Sequence, residues 1–539
     1  MRNKNLLAWL VLLLVVFCTA FLDFNPLAYA QTTPPTVAFN CNSSGFQVQI
    51  TPTLPNNLPG FSLNQAGANC MAWQTFIALN WQADPNNPGQ PNPSIPASQF
   101  GVPENPNNPN QPIHPVVWES YQEASEVIKG EQARNWRSPQ ALPESFRQFG
   151  NIAKLAPTSR FGYKSLTATS KFTDGPEFVI DGTSQAFTNS WLTAQNQSLT
   201  FYEIRLNQDE YQYITKNTLY SPQSQQACAN GTVGLNLPSG TAGNHQDQDC
   251  QNNVTNYGAD GAIEVKAAWV ELKDSSLYPK YKIAQAIIQG PNDPQPRQAV
   301  MGLVGLHVIH KVPNSQQLVW ATFEHIDNAP SSSDIPNNLQ ARYTYYNPSC
   351  DPTTDYYQCK PNHQPLVSNK DPYTAPVQVV RLTSIPTLSQ ALNQAVWSTL
   401  KQVSSSSVFQ NYQLIDTMWP KASQTILPKA TTPLSNGNIQ SGTPNNYVAN
   451  TTMETYFQQP SQQPNSPSLF TPGGCLGCHV LAPIASPSKL GKKARIFLPS
   501  PTLIQAKLST NASLASDYSF IFSQAQANTK QRAMNKVQK

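Results

Sequence analysis

The first thirty residues constrain the fold more than any later feature, because they set the compartment in which the chain folds. Arg2 and Lys4 precede an apolar run from Leu6 to Leu22, and Pro26 and Ala28-Tyr29-Ala30 follow. A basic start, an apolar centre and a small-x-small end predict an export signal cleaved after Ala30. An uncleaved anchor stays open as the alternative, because the run is nearly long enough to span a bilayer. No later stretch has that length and apolarity. The expected mature chain therefore has no membrane span and is periplasmic or secreted, where thiols oxidise and disulfides persist.

The cysteines fit that compartment. Cys18 lies in the signal, and Cys475 and Cys478 belong to a motif taken up below. Six remain, Cys41, Cys70, Cys228, Cys250, Cys350 and Cys359, each close in sequence to one other. Six cysteines allow 15 connectivities. Closing short loops loses less chain entropy, so the expected scheme is Cys41–Cys70, Cys228–Cys250 and Cys350–Cys359.

Charged residues are only 12% of the chain and the net charge is +4, with no concentrated basic face, so nucleic acid is not an expected partner. The Lys530–Lys539 end reads as a solvated tail. Aromatic residues at 10% argue for an ordered chain, since they dominate the burial that offsets chain entropy.

Trp73, Phe76, Ile77 and Trp81 fall at helical spacing, so the segment Met71 to Trp81 predicts a buried helix. The long Pro/Asn stretch from Asp84 to Pro112 reads as a functional or disordered loop. Pro115 suits the first turn of a second helix, Val116 to Lys129. Between about Phe178 and Arg381 the pattern turns to strands, among them Phe201–Leu206 and Ile263–Leu272. Leu303–Val312 and Leu318–Ile326 flank Pro313-Asn314-Ser315-Gln316-Gln317, which predicts a β-hairpin. Leu388, Leu392, Val396 and Leu400 predict a helix over 386–402. Pro428–Asn446 and Gln458–Pro472 read as connecting segments. The expected architecture is α+β: a signal peptide over 1–30, a large β-rich domain with a few helices over 31–425, and a linker with a small irregular C-terminal segment over 426–539.

That last segment holds the strongest chemical signal. Gly474-Cys475-Leu476-Gly477-Cys478-His479 contains Cys-x-x-Cys-His, the attachment signature of c-type haem. Two thiols at this spacing reach the two vinyl groups of one porphyrin edge, and the adjacent imidazole then lies under the iron as axial ligand. Glycines at 473, 474 and 477 let the backbone pass close to a macrocycle. A thioredoxin-like pair would need a preceding strand in a βαβ unit, and a zinc site would need a second ligand pair; neither is present. A short-loop disulfide is the remaining bland reading. One covalent haem c, held by Cys475, Cys478 and His479, is the expected cofactor.

The C-terminal part resembles a mono-haem c-type cytochrome through this pentad alone. The chain more broadly resembles large secreted bacterial proteins called "cytochrome c family", which lack an assigned activity. That likeness is carried by Trp73-Gln74-Thr75-Phe76-Ile77-Ala78-Leu79-Asn80-Trp81, Val117-Trp118-Glu119, Val265-Lys266-Ala267-Ala268-Trp269, Gly305-Leu306-His307, Trp320-Ala321-Thr322-Phe323-Glu324-His325-Ile326-Asp327-Asn328, Glu454-Thr455-Tyr456 and the pentad. It implies a haem protein of the periplasm or cell surface and supplies no substrate. Small cytochromes place a methionine ligand after the pentad. Here only Met534 follows, in a charged tail, so a sixth iron ligand supplied by the chain is expected upstream, from His307, His310, His325 or Met453, with an open or water-occupied position as the alternative.

Two further readings compete with simpler ones. His307, His310, Glu324 and His325 lie on the two hairpin strands and could gather a transition metal. Strand parity puts His307 and His310 on opposite faces, which favours buried, hydrogen-bonded histidines. Trp73, Trp81, Trp118, Trp269 and Trp320 could form a carbohydrate-stacking surface, against the commoner role of core packing. Asn207 to Glu210, Asp247 and Asp249 read as turn residues. Three functions follow: haem binding and electron transfer to an unidentified redox partner; a periplasmic oxidoreductase with a substrate or metal site in the large domain; or a surface-binding module with structural haem.

Overall fold

A computed structural model describes residues 35–41, 47–55, 64–128, 136, 163–167, 190–291, 293–313, 318–335, 343–351, 353, 359–365, 370–419, 448–456, 458, 479, 482, 484–485, 517 and 519–525. The signal peptide, Asn314–Gln317 of the hairpin turn, most of the two connecting segments, Cys475, Cys478 and Met534 lie outside them. Contacts divide the chain into residues 1–35 and 36–539, and all that follows concerns the second unit.

Its centre is one mostly antiparallel sheet. The elements in chain order are α1 (Gln65–Leu79), β1 (Gln122–Glu123), α2 (Ala124–Ile128), β2 (Tyr163–Thr167), β3 (Thr200–Leu206), α3 (Gln208–Lys216), α4 (Pro222–Ala229), β4 (Ile263–Glu271), β5 (Ile283–Gln289), β6 (Arg297–His310), β7 (Val319–His325), α5 (Thr387–Val403) and β8 (Tyr412–Met418). The long β6 pairs with β4 along one side, and its other side is shared by β5 at the start and β7 at the end. The sheet thus forks, toward β2 through a parallel β5–β2 pair and toward β8 through β7. The expected hairpin is the β6–β7 pair, with Leu306 opposite Phe323 and Ile309 opposite Trp320.

α1 is buried almost all round, as a helix without a polar face must be. Asn64 caps its start by accepting from the Gly67 amide. Its buried polar groups are answered: Trp73 Nε1 donates to Asn393 Oδ1 at 2.9 Å, and Asn69 Nδ2 donates to Ser389 Oγ at 2.9 Å. Both acceptors lie on α5, which turns Leu392, Val396 and Leu400 inward while Leu388 stays 43% exposed. The two helices cover one sheet face. Phe76 packs there with ring centroids 4.3 Å from Phe323 and 5.5 Å from Phe409.

The opposite face is covered by α3, α4 and pieces of the C-terminal third. Residues 448–456 lie on this face although the sequence reading assigns them to the linker and C-terminal segment. Asn450 Nδ2 donates to Thr322 Oγ1 at 2.9 Å and to the Phe323 carbonyl at 2.8 Å, and Tyr202 donates to the Thr452 carbonyl at 2.7 Å.

Several expectations need correcting. The helix expected over Val116 to Lys129 is broken into a 3-10 turn (Val117–Ser120), β1 and α2. β1 pairs with β3, and the Tyr121 carbonyl accepts from Arg205 Nη1 at 2.9 Å, so edge pairing overrides helical periodicity. Strands are not confined to 178–381, since β2 precedes and β8 follows that range. The 84–112 stretch is neither disordered nor open. Asp84 and Asn105 start hydrogen-bonded turns, and Phe100 stacks between Trp81 and Phe409 at 5.2 and 4.7 Å. All three expected disulfides are present, Cys41–Cys70, Cys228–Cys250 and Cys350–Cys359.

Candidate functional site

Register alone aligns one row across the second face. Leu206, Glu264, Ile309, Trp320 and Met418 stand opposite one another on β3, β4, β6, β7 and β8. Directly opposed residues share a face. The Trp320 end of this row is where His479 lies. Its half-buried imidazole has its centroid 5.8 Å from Trp320 and 5.2 Å from Phe520, tilted to both. The Ala482 amide donates to the His479 carbonyl at 3.0 Å, and Ile484, Ile521 and Phe522 are buried in the same apolar cluster as Trp320. A half-buried imidazole set among aromatic and aliphatic side chains suits an axial ligand beside a flat apolar macrocycle. The donor and its surroundings therefore fit a haem.

The four expected sixth ligands do not assemble in one place. His310 and His325 lie on the helix-covered face, where Val308 and Phe323 of the same parity are core. His310 Nε2 is 2.7 Å from the Asp260 carbonyl oxygen. His325 stacks on Tyr281 at 3.9 Å, with Nε2 3.0 Å from the Lys280 carbonyl oxygen. Burial pushes both imidazoles down to about 4, so they stay neutral. Met453 sits in a third cluster with Tyr202 and Val270. Of the three histidines, His307 alone shares the face of Trp320 and lies one diagonal step from it across the β6–β7 ladder. Its Nε2 is 2.8 Å from Glu454 Oε1, and its buried Nδ1 has no hydrogen-bond partner among the described residues.

The same placements disperse the metal cluster considered on the hairpin. Glu324 is ion-paired with Arg381 and accepts from Thr451 Oγ1 at 2.7 Å, while each histidine has its own separate neighbour. Among the described residues no group of three or more His, Cys, Asp or Glu is arranged to hold a metal ion. The five tryptophans are core residues, none more than 3% exposed, and present no stacking surface.

Two charged assemblies escaped the sequence reading. On the helix-covered side, Lys164 Nζ lies 3.0 Å from Glu119 and 2.7 Å from Glu203, and 4.7 Å from the ring centroids of both Trp118 and Trp269. Arg205, Lys282 and Glu104 complete the network, three cations against three carboxylates. Burial raises the Glu203 carboxyl, but Arg205 and Lys164 outweigh it and hold the group down at about 2. A balanced, fully bonded network of this kind holds a fold and leaves no group poised for chemistry.

The second assembly is chemically different. Asn207 accepts from the Glu210 amide at 3.2 Å and from the Ile263 amide at 3.1 Å, which locks the start of α3 to the start of β4. That lock brings Glu210 and Glu264 together, both fully buried, with no cation between them. Burial and then the neighbouring Glu264 push the Glu210 carboxyl well up; burial pushes Glu264 up to about 7, despite a hydrogen bond from Ser519. Both shifts run upward, so burial favours the neutral form of each acid. Glu210 was read as part of a turn because each acid looks isolated in its own stretch of chain.

No protein-family model matches the chain, and comparison with curated proteins and with solved structures likewise finds no match. Among the described residues no helix is long and apolar enough to cross a membrane.

Proposed function

We propose that this chain is an exported mono-haem c-type cytochrome-like protein, periplasmic or secreted, that binds haem and exchanges electrons with a redox partner. It is of the kind found in the large secreted "cytochrome c family" that its sequence resembles. The carrying observation is the seat of His479, a half-buried imidazole against Trp320 and Phe520 on an apolar sheet face. Cys475 and Cys478 would hold the group through thioethers, and His479 would ligate its iron. When bound, the haem supplies a reversible one-electron couple.

The chain's own residues do the rest. Trp320 and Phe520 restrict the rotation of His479 and keep water from one side of it. Incomplete burial of His479 would leave the group near enough to the surface for a partner to exchange electrons with it. His307 is the preferred sixth ligand, because it is the one expected upstream histidine on the face of Trp320 and lies one diagonal step from it. Three disulfides and the absence of a spanning helix among the described residues support the exported placement.

The test is acid extraction of the exported protein followed by its absorption spectrum. Haem colour should remain with the polypeptide, and Cys475→Ala with Cys478→Ala should abolish this. Haem that extracts freely from the unmodified chain, or no haem at all, overturns the reading.

A further inference from the structure

Lys311 follows the last residue of β6, and its side chain is 1% exposed. Its Nζ lies 2.5 Å from Asp517 Oδ2, on a carboxyl that is itself 0% exposed. Asn236 Oδ1 is also 2.5 Å from Nζ, and the Leu237 amide donates to Asp517 Oδ2 at 2.7 Å. Asp517 Oδ1 is buried and accepts no hydrogen bond among the described residues. A buried ion pair is favourable only when its remaining lone pairs are also bonded, and this one leaves an oxygen bare.

The surroundings supply what a condensation needs. A desolvated lysine is a nucleophile once it loses its proton. A 2.5 Å contact to one carboxyl oxygen leaves Nζ near the roughly 3–3.5 Å at which a nucleophile attacks the carboxyl carbon. Burial pushes the Asp517 carboxyl up even with Lys311 beside it, and Glu264 accepts a hydrogen bond from Ser519, two residues beyond Asp517, which brings the Glu210–Glu264 pair to the same segment. The groups facing Asp517 are thus Lys311 from the end of β6, Glu210 from α3, Glu264 from β4 and Asn236 from the α4–β4 connection.

We propose that Lys311 and Asp517 condense into an intramolecular amide, with the buried Glu210–Glu264 pair relaying the proton. The Lys311 ammonium first passes a proton to the Asp517 carboxylate, leaving a neutral amine and a neutral acid. The Nζ lone pair adds to Asp517 Cγ and a C–N bond forms. A Cγ–O bond breaks, and the oxygen leaves as water with the second proton from Nζ, delivered through the acid pair. Ammonium plus carboxylate becomes amide plus one water, so no oxidant or activating group is needed. Expelling water from an apolar site and removing two buried charges favours the amide there. The bond would fasten the segment carrying Phe520, and so one wall of the His479 seat, to the end of β6.

The test is a peptide map of the full-length exported protein after reduction of its disulfides. A branched peptide joining Lys311 to Asp517, lighter by one water than its two arms, is the expected result. Recovery of both arms as separate, unmodified peptides overturns the proposal. So does a Lys311–Asn236 link lighter by one ammonia, which would mean the wrong acceptor was assigned. The wild-type map requires no variant to fold. In folded Glu264→Gln the branched peptide should fall at least tenfold, and an unchanged yield would refute the relay. The outcome is independent of whether the protein carries haem.

Discussion

Glu264→Gln makes the energetics of the buried acid pair measurable. The Glu264 carboxyl ordinarily titrates at 4.5 and is pushed up to about 7 in the folded protein. A folded-state value above the unfolded one means the folded chain binds the extra proton more tightly. The associated stability is fully present below about pH 4.5 and is lost as pH rises through about 7. A displacement of that size corresponds to about 3 kcal/mol. Glutamine keeps the shape and the neutral hydrogen bonding without the titration. Relative to the wild type, the variant should therefore gain about 3 kcal/mol or more between about pH 4 and about pH 8, since Glu210, relieved of the Glu264 charge, also shifts down. His310 and His325, both pushed down to about 4, give the opposite slope over their own range, and Asp209 and Asp416 add theirs. All four cancel in the difference between variant and wild type. A constant offset between the two proteins also drops out. Urea unfolding of the disulfide-intact proteins across this range is the assay. A difference that stays flat, or that grows toward acid, refutes the upward shift assigned to Glu264.

Other substitutions probe the packing. Phe76→Ala removes a ring wedged against Phe323 and Phe409 and should destabilise by about 3–5 kcal/mol in denaturant unfolding. Replacing Cys41 and Cys70 by serine opens a loop of sequence separation 29 and should lower stability by about 3–4 kcal/mol, read the same way. Gly261 has φ +76°, and a Cβ there would lie 2.2 Å from the Lys311 carbonyl oxygen. Gly261→Ala should accordingly destabilise by about 2 kcal/mol or more, and a neutral result would mean that the β4 start is not held as described.

The features readable from the chain were those written in short, periodic runs. α1 and α5 show as apolar repeats, β6 and β7 as β-branched stretches around a turn, and the disulfides as neighbouring cysteines. Side-chain alternation was enough to separate His307 from His310, and the structure adds that His325 keeps company with His310. The remainder depended on pairings distant in sequence. β1 looks helical until β3 supplies its edge, and Lys164 looks like a surface lysine until Glu119, Glu203 and two tryptophans close around it. Glu210 and Glu264 carry no joint signature, because the lock that unites them runs through a single asparagine side chain. The Cys-x-x-Cys-His motif suggested a chemistry but not the neighbours of its histidine, which include Trp320 from another part of the chain.

The position of α1 also bears on when the molecule can become stable. Gln65 at its start donates to Asp416 and Thr417 on β8, partners 351 and 352 residues downstream. Under the proposed export, a helix buried on nearly every side would be threaded through the membrane long before the strand that shields it had followed. Pairings so remote in sequence make folding slow and leave aromatic surface bare while it proceeds. An export-side chaperone that holds residues near 65–79 until residue 418 has emerged would answer that need, and a chain halted before β8 should collect as aggregate or be degraded.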